Sequence, residues 1–298
     1  MPDDRRTRPA AVGLLLFGSG ACALIYQTVW LREFRLIFGA STAASAAVLA
    51  IFMGGLGLGS IVIGKRADAH RNPLALYGLL EVGVAASAIL TPLLLWLVRH
   101  FYLSIGGSFA LGAFFAAAVR LVLSVIVLAA PTVLMGGTLP AASRAVERAG
   151  DAERFGVSVL YACNAVGAVV GTIVSTFYLL ENFGNLKTLV AAALLNALIG
   201  MTAMMISSTT DDDGVGTTPG RPAGRRRDRV VYAAAAIVGF AFFLMELVWY
   251  RLLTPILGGT TYTFGLILAV ALAGIGGGGF AYALLRRTRG TLGAFAVL

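Results

Sequence analysis

The sequence predicts an all-α membrane protein, a polytopic helical bundle, and three observations carry that expectation. The first is composition. The 298 residues are 58% hydrophobic and only 12% charged, with a mean hydropathy of +0.87, against about 25% charged residues in a soluble domain. The second is run length. Residues 9–31, 36–64, 121–143, 155–180, 188–210 and 252–285 contain no Asp, Glu, Lys, Arg or His, and roughly 20 apolar residues suffice to cross a bilayer core as a helix. The third is charge placement, because the basic residues fall between the apolar segments and mostly between alternate pairs of them.

Taken in order, the spans are expected at 11–31, 43–64, 74–98, 107–130, 156–180, 186–206, 230–253 and 262–285, with 291–298 opening a ninth. The charged stretch 1–8 precedes an apolar run of full span length, longer than the core of a cleaved signal peptide, so the first span stays in the protein. The third and fourth spans each contain one charge, Glu81 and Arg120. The segment 207–229 is polar, holding Asp211, Asp212 and Asp213 and then an arginine cluster. It cannot bury a core and reads as a disordered linker.

With these spans, 17 of the 23 Lys and Arg residues fall on one side. The other side receives Arg32, Arg35, Arg99, Lys187 and Arg251, and Arg120 lies within a span. Excess positive charge marks the cytoplasmic face, so the N-terminus and residues 207–229 are expected in the cytoplasm, the chain being multi-pass in a cell membrane, which the family resemblance described below implies is a bacterial plasma membrane. The net charge of +9 then reflects membrane topology. Nucleic acid is excluded as a partner, because no basic face interleaved with aromatics is legible; lipid is the expected one. Cys22 and Cys163 both fall in spans and form no disulfide framework.

A shift of 219 residues aligns the chain with itself. It brings Gly20 onto Gly239, Val29-Trp30 onto Val248-Trp249, Arg32 onto Arg251, Gly39 onto Gly258, and Gly55, Gly57 and Gly59 onto Gly274, Gly276 and Gly278. The shift crosses six spans, an even number, so the two copies are parallel. Parallel six-helix halves are the plan of major-facilitator transporters. The expected organisation is a first six-helix half at 1–206, the cytoplasmic linker at 207–229, and at 230–298 the truncated start of a second half.

Further residues carry a family resemblance. The segment 23–32 (ALIYQTVWLR), then Phe38-Gly39-Ala40-Ser41-Thr42, the glycines at 55, 57 and 59, the segment 131–140 (PTVLMGGTLP) and Leu160-Tyr161-Ala162-Cys163-Asn164 resemble the bacterial membrane-bound spermidine synthase-like proteins, essentially along the whole chain. The resemblance implies a membrane part preceding a soluble domain that transfers an aminopropyl group from decarboxylated S-adenosylmethionine to putrescine. No strand, glycine-rich turn and acidic residue in the order of such a domain is legible here. The catalytic domain is therefore expected outside this chain, with no catalytic residue, metal ligand or cofactor within it. One departure is Gln27, where the family carries an acid; Glu246 holds the matching position in the second copy.

Five intramembrane residues form a candidate polar site: Glu81, Arg120, Glu246, Gln27 and Asn164. Isolated charges within a span normally face the bundle and find a partner. Glu81 and Arg120, on consecutive spans, could pair, either as a structural clamp or as part of a substrate or proton site. Glu246 could attract a cationic polyamine or make an interhelical hydrogen bond. Asn164 reads as interhelical glue. After the second span, Arg66, Asp68 and Arg71 resemble a facilitator-type latch, the alternative being a plain basic loop. Trp30 and Trp249 read as interfacial anchors. Two functions follow: an integral module of a spermidine synthase-like protein, or a major-facilitator-like transporter of a small solute such as a polyamine.

Overall fold

The computed structural model describes residues 7–39, 42–146, 152–208, 225–258 and 260–285. All regular structure among them is helical. Eight long helices follow one another: α1 Thr7–Phe38, α2 Thr42–Ala69, α3 Pro73–Ser104, α4 Gly107–Val146, α5 Ala152–Val174, α6 Gly184–Ser208, α7 Arg225–Leu257 and α8 Thr261–Leu285. Each contains a stretch long and apolar enough to cross a membrane. Most of the linker at 207–229 and the ninth span at 291–298 lie outside the described residues. The linker's last residues do not: Arg225 already opens α7.

Local sequence sets several helix ends. Asn72 caps α3, its side chain accepting a hydrogen bond from the Ala75 amide at 3.2 Å, and Pro73 fills the first helical position where no amide is needed. Gly39 and Gly258, superposed by the 219-residue shift, follow the ends of α1 and α7 with φ of 90° and 83°, a conformation that favours glycine. Helix α4 runs past the expected end at 130 and through Pro131 and Pro140 to Val146. A second non-uniform stretch follows α5, where Ser175–Leu179 forms one π-helical turn before the short Leu180–Asn182 turn.

Packing pairs α1 with α5, α2 with α4, and α3 with both α6 and α4. Helix α8 lies against α5, whereas α7 touches chiefly α8. The closest crossings are made by glycine. A Cβ on Gly59 would stand 1.9 Å from the Val133 carbonyl oxygen, and one on Gly20 would stand 2.2 Å from that of Asn164. No side chain fits at either place, so these backbones meet directly. The helix pairs enclose a core around α1, in which Leu16, Tyr26, Trp30, Phe34, Phe52, Leu128 and Leu189 are fully buried.

Much of the outer surface is apolar. Leu14, Ile61, Leu93, Phe114, Leu194 and Ile237 are all well exposed. Contiguous exposed apolar surface of this kind suits lipid, and every long segment satisfies its backbone within a helix, as a hydrocarbon solvent demands.

Candidate functional site

Glu81 is the most enclosed charge-bearing side chain of the first six helices, 1% exposed. Ser19 on α1 donates its hydroxyl to Glu81 Oε1 at 2.5 Å, and Asn196 on α6 donates its amide to the Glu81 carbonyl oxygen at 2.8 Å. Tyr77, one turn earlier on α3, and Cys22 and Tyr26 on α1 lie within electrostatic reach of the carboxyl. Three helices thus converge on one residue, α1 at its carboxyl group and α6 at its backbone carbonyl. Close helix contact makes the convergence possible, because Gly78 of α3 and Gly200 of α6 abut one another.

Arg120 does not join Glu81. Its Nε donates to the Tyr102 hydroxyl at 2.9 Å, and its guanidinium lies 5.8 Å from that ring's centroid. Tyr102 stands 21 residues after Glu81 on α3, roughly 30 Å along the helix at 1.5 Å per residue. The two charges therefore belong to opposite ends of the bundle.

Gln27 and Glu246, equivalent under the sequence shift, are both buried, 1% and 3% exposed. Neither amide atom of Gln27, nor Oε1 of Glu246, has a hydrogen-bond partner among the described residues. Asn164 is half-buried at the α1–α5 crossing, where its carbonyl meets Gly20.

At the end of the bundle that holds the α2–α3 turn, Asp68 forms an ion pair with Arg144 of α4 at 2.6 Å. It ties the C-terminal ends of α2 and α4 together over an open cleft of about 690 Å³ that also contains Lys65, Ser60 and Ser143. Arg66 and Arg71 are exposed at the same end. The basic partner on α4 escaped the sequence reading, since only the fold brings residues 68 and 144 together.

Trp30 is not an interfacial anchor. It is fully buried, stacks on Tyr26 with ring centroids 5.4 Å apart, and donates its indole N–H to Thr91 on α3 at 3.0 Å. Trp249 is 39% exposed, as an anchor would be.

Two cavities open at the opposite end. One, of about 490 Å³, lies between α1, the π turn after α5 and the start of α8, and is lined by Arg32, Arg35, Thr176 and Glu181. Arg32 donates to the Leu180 carbonyl at 3.3 Å, linking α1 to that turn. The other, of about 460 Å³, lies between α1, α3 and α6 and contains Glu33, Trp96, Arg99 and Asn185. No cluster of three or more His, Cys, Asp or Glu that could hold a metal ion occurs among the described residues.

A bundle of eight apolar helices with a lipid-like exterior and a few enclosed polar groups defines a multi-pass membrane protein. Its relatives are more specific. Polyamine aminopropyltransferase 1 of Streptomyces coelicolor is 26% identical over 203 residues, 67% of this chain and 35% of that protein. Polyamine aminopropyltransferase 2 of the same organism is 29% identical over 198 residues, 65% of this chain and 34% of that protein. The chain is thus distantly homologous to these proteins over about two thirds of its length, less than the near-complete cover its motifs suggest, and it spans about a third of theirs. No family model and no solved structure matches it.

Proposed function

We propose that this chain is the integral membrane module of a protein related to the polyamine aminopropyltransferases, and that it carries no transferase chemistry of its own. The observation that supports this most is the pair of alignments at 26% and 29% identity with two such enzymes. The module anchors an aminopropyltransferase-like domain in a bacterial plasma membrane, with the N-terminus cytoplasmic. Its helices follow the major-facilitator plan, the first two helices of a parallel second half being α7 and α8.

The test is aminopropyl transfer from decarboxylated S-adenosylmethionine to putrescine. Purified residues 1–298 are expected to be inactive, and the product of the full reading frame containing them is expected to be active. Transfer by residues 1–298 alone, or a full reading frame that encodes helices and no soluble domain, would refute the reading.

A transporter of a small solute such as a polyamine is the second reading. It is favoured by the buried Oε1 atoms of Gln27 and Glu246, which lack a hydrogen-bond partner among the described residues and which a cationic solute could satisfy. Vesicle uptake of labelled putrescine or spermidine should then fall in Glu246→Gln and Glu81→Gln; unchanged uptake removes those residues from any transport path.

A further inference from the structure

The cleft beneath the Asp68–Arg144 pair has a basic end and an apolar end, and their spacing follows from the two helices that build it. A Cβ on Gly64 of α2 would stand 3.6 Å from the Pro140 side chain of α4. Four residues further along each helix, Asp68 and Arg144 are joined at 2.6 Å. The two helices therefore run side by side in one register here. The cleft extends along α2 from Ser60 to Asp68, roughly 12 Å at 1.5 Å per residue.

Two cations share its upper end, where Lys65 and Arg144 both line the cleft. Lys65 precedes Asp68 by three residues, which sets their Cβ atoms about 5–6 Å apart on one helix face. Arg144 is held against that same Asp68 through its Nε, so one anion above the cleft can contact both side chains. Asp68 is the only acid that lines the cleft among the described residues, and its Oδ1 already accepts from Arg144. Arg66 and Arg71 are exposed at the same end and make the field around it positive. The lower end is different. Ile61, on the cleft wall, is 62% exposed. Leu58 and Val62 share its helix face and are also exposed, so the cleft runs on into the apolar outer surface of α2.

We infer that this cleft seats an anionic phospholipid, its phosphodiester against Lys65 and Arg144 and its acyl chains along Leu58, Ile61 and Val62. Basic pockets between membrane helices hold anionic headgroups in this way. A zwitterionic headgroup would set its ammonium among Lys65, Arg66 and Arg71, where the lining acid is engaged by Arg144. A soluble phosphate would leave the apolar end of the cleft uncovered. The inference needs only the membrane setting of the bundle and uses neither the transferase nor the transport reading.

The test compares two variants that remove one positive charge at the same end. Lys65 lines the cleft and Arg66 does not. Wild-type protein, Lys65→Gln and Arg66→Gln are placed in nanodiscs of phosphatidylcholine containing phosphatidylglycerol or phosphatidylethanolamine, and retained lipid is counted by native mass spectrometry. Inorganic phosphate is titrated separately into phosphatidylcholine nanodiscs. Both side chains are exposed, so thermal unfolding of both variants in phosphatidylcholine should match wild type. Preferential retention of phosphatidylglycerol, weakened about tenfold in Lys65→Gln and clearly less in Arg66→Gln, supports the site. Equal retention of phosphatidylglycerol and phosphatidylethanolamine, equal losses in the two variants, or saturable phosphate binding without a preference for phosphatidylglycerol would each overturn it.

Discussion

Ser19 on α1 and Glu81 on α3, 62 residues apart in sequence, share a 2.5 Å hydrogen bond in the interior of the bundle. The carboxyl has no Arg or Lys in an ion pair among the described residues; hydroxyls, an amide and a thiol surround it instead. Interhelical hydrogen bonds in membranes average about 0.6 kcal/mol and reach about 1.7 kcal/mol, so the junction fixes helix geometry more than it adds stability. Glu81→Gln, which keeps an acceptor for Ser19, is expected to unfold within about 1 kcal/mol of wild type. Glu81→Leu should lose more, because the Ser19 hydroxyl is left without its acceptor. Thermal unfolding in detergent measures both; an identical loss in the two variants would remove the hydrogen bond from the account.

The α2–α4 crossing makes a sharper prediction. A Cβ at Gly59 meets the Val133 carbonyl at 1.9 Å, whereas one at Gly57 meets nothing within 4 Å. Gly59→Val should therefore force the helices apart and abolish folding or lower the melting temperature strongly. Gly57→Ala should be neutral or stabilising by up to about 1 kcal/mol through helix propensity. Equal effects of the two substitutions would contradict the crossing.

Asp68 and Arg144 are both partly exposed, at 56% and 35%, so solvent screens the pair and it contributes at most about 1 kcal/mol. Asp68→Asn should lower stability by no more than that, less at high salt. The double exchange Asp68→Arg with Arg144→Asp should restore part of the loss. A double-mutant cycle with zero coupling would show that the two ends are not latched.

Trp30→Phe keeps the ring stack on Tyr26 but strands the Thr91 hydroxyl without its donor, and is expected to cost about 1 kcal/mol. Trp30→Ala should cost about 3–5 kcal/mol by leaving a cavity. A lipid-anchoring tryptophan would show neither loss, so unfolding of the two variants distinguishes the roles.

The spans were legible because lipid imposes a rule that acts on each segment alone: about 20 apolar residues, with charges at the ends. Each of the eight complete expected spans lies largely within an observed helix. The ends were less legible. A proline at 131 argues for a stop in water, but α4 continues to Val146, as proline is tolerated in membrane helices where neighbours accommodate the freed backbone. Burial of Glu81 followed from its position in a span. Its partners did not, because Ser19 and Asn196 are common residues whose meeting depends on helix packing. The same packing hid the Asp68 partner and turned Trp30 inward. Arg120 misled for a related reason: α4 has a non-helical residue at Gly112, and its apolar span, from Phe114 on, sets Arg120 nearer one end than the expected boundaries implied.

The fold requires the chain to thread a membrane with alternating turns on opposite faces. Single cysteines at His70, Ser104 and Phe183, in a background with Cys22→Ser and Cys163→Ser, can be probed in intact cells with an impermeant maleimide. Labelling of positions 104 and 183 from outside, and of position 70 only after permeabilisation, is the expected result. Positions 70 and 104 reacting from the same side would contradict it.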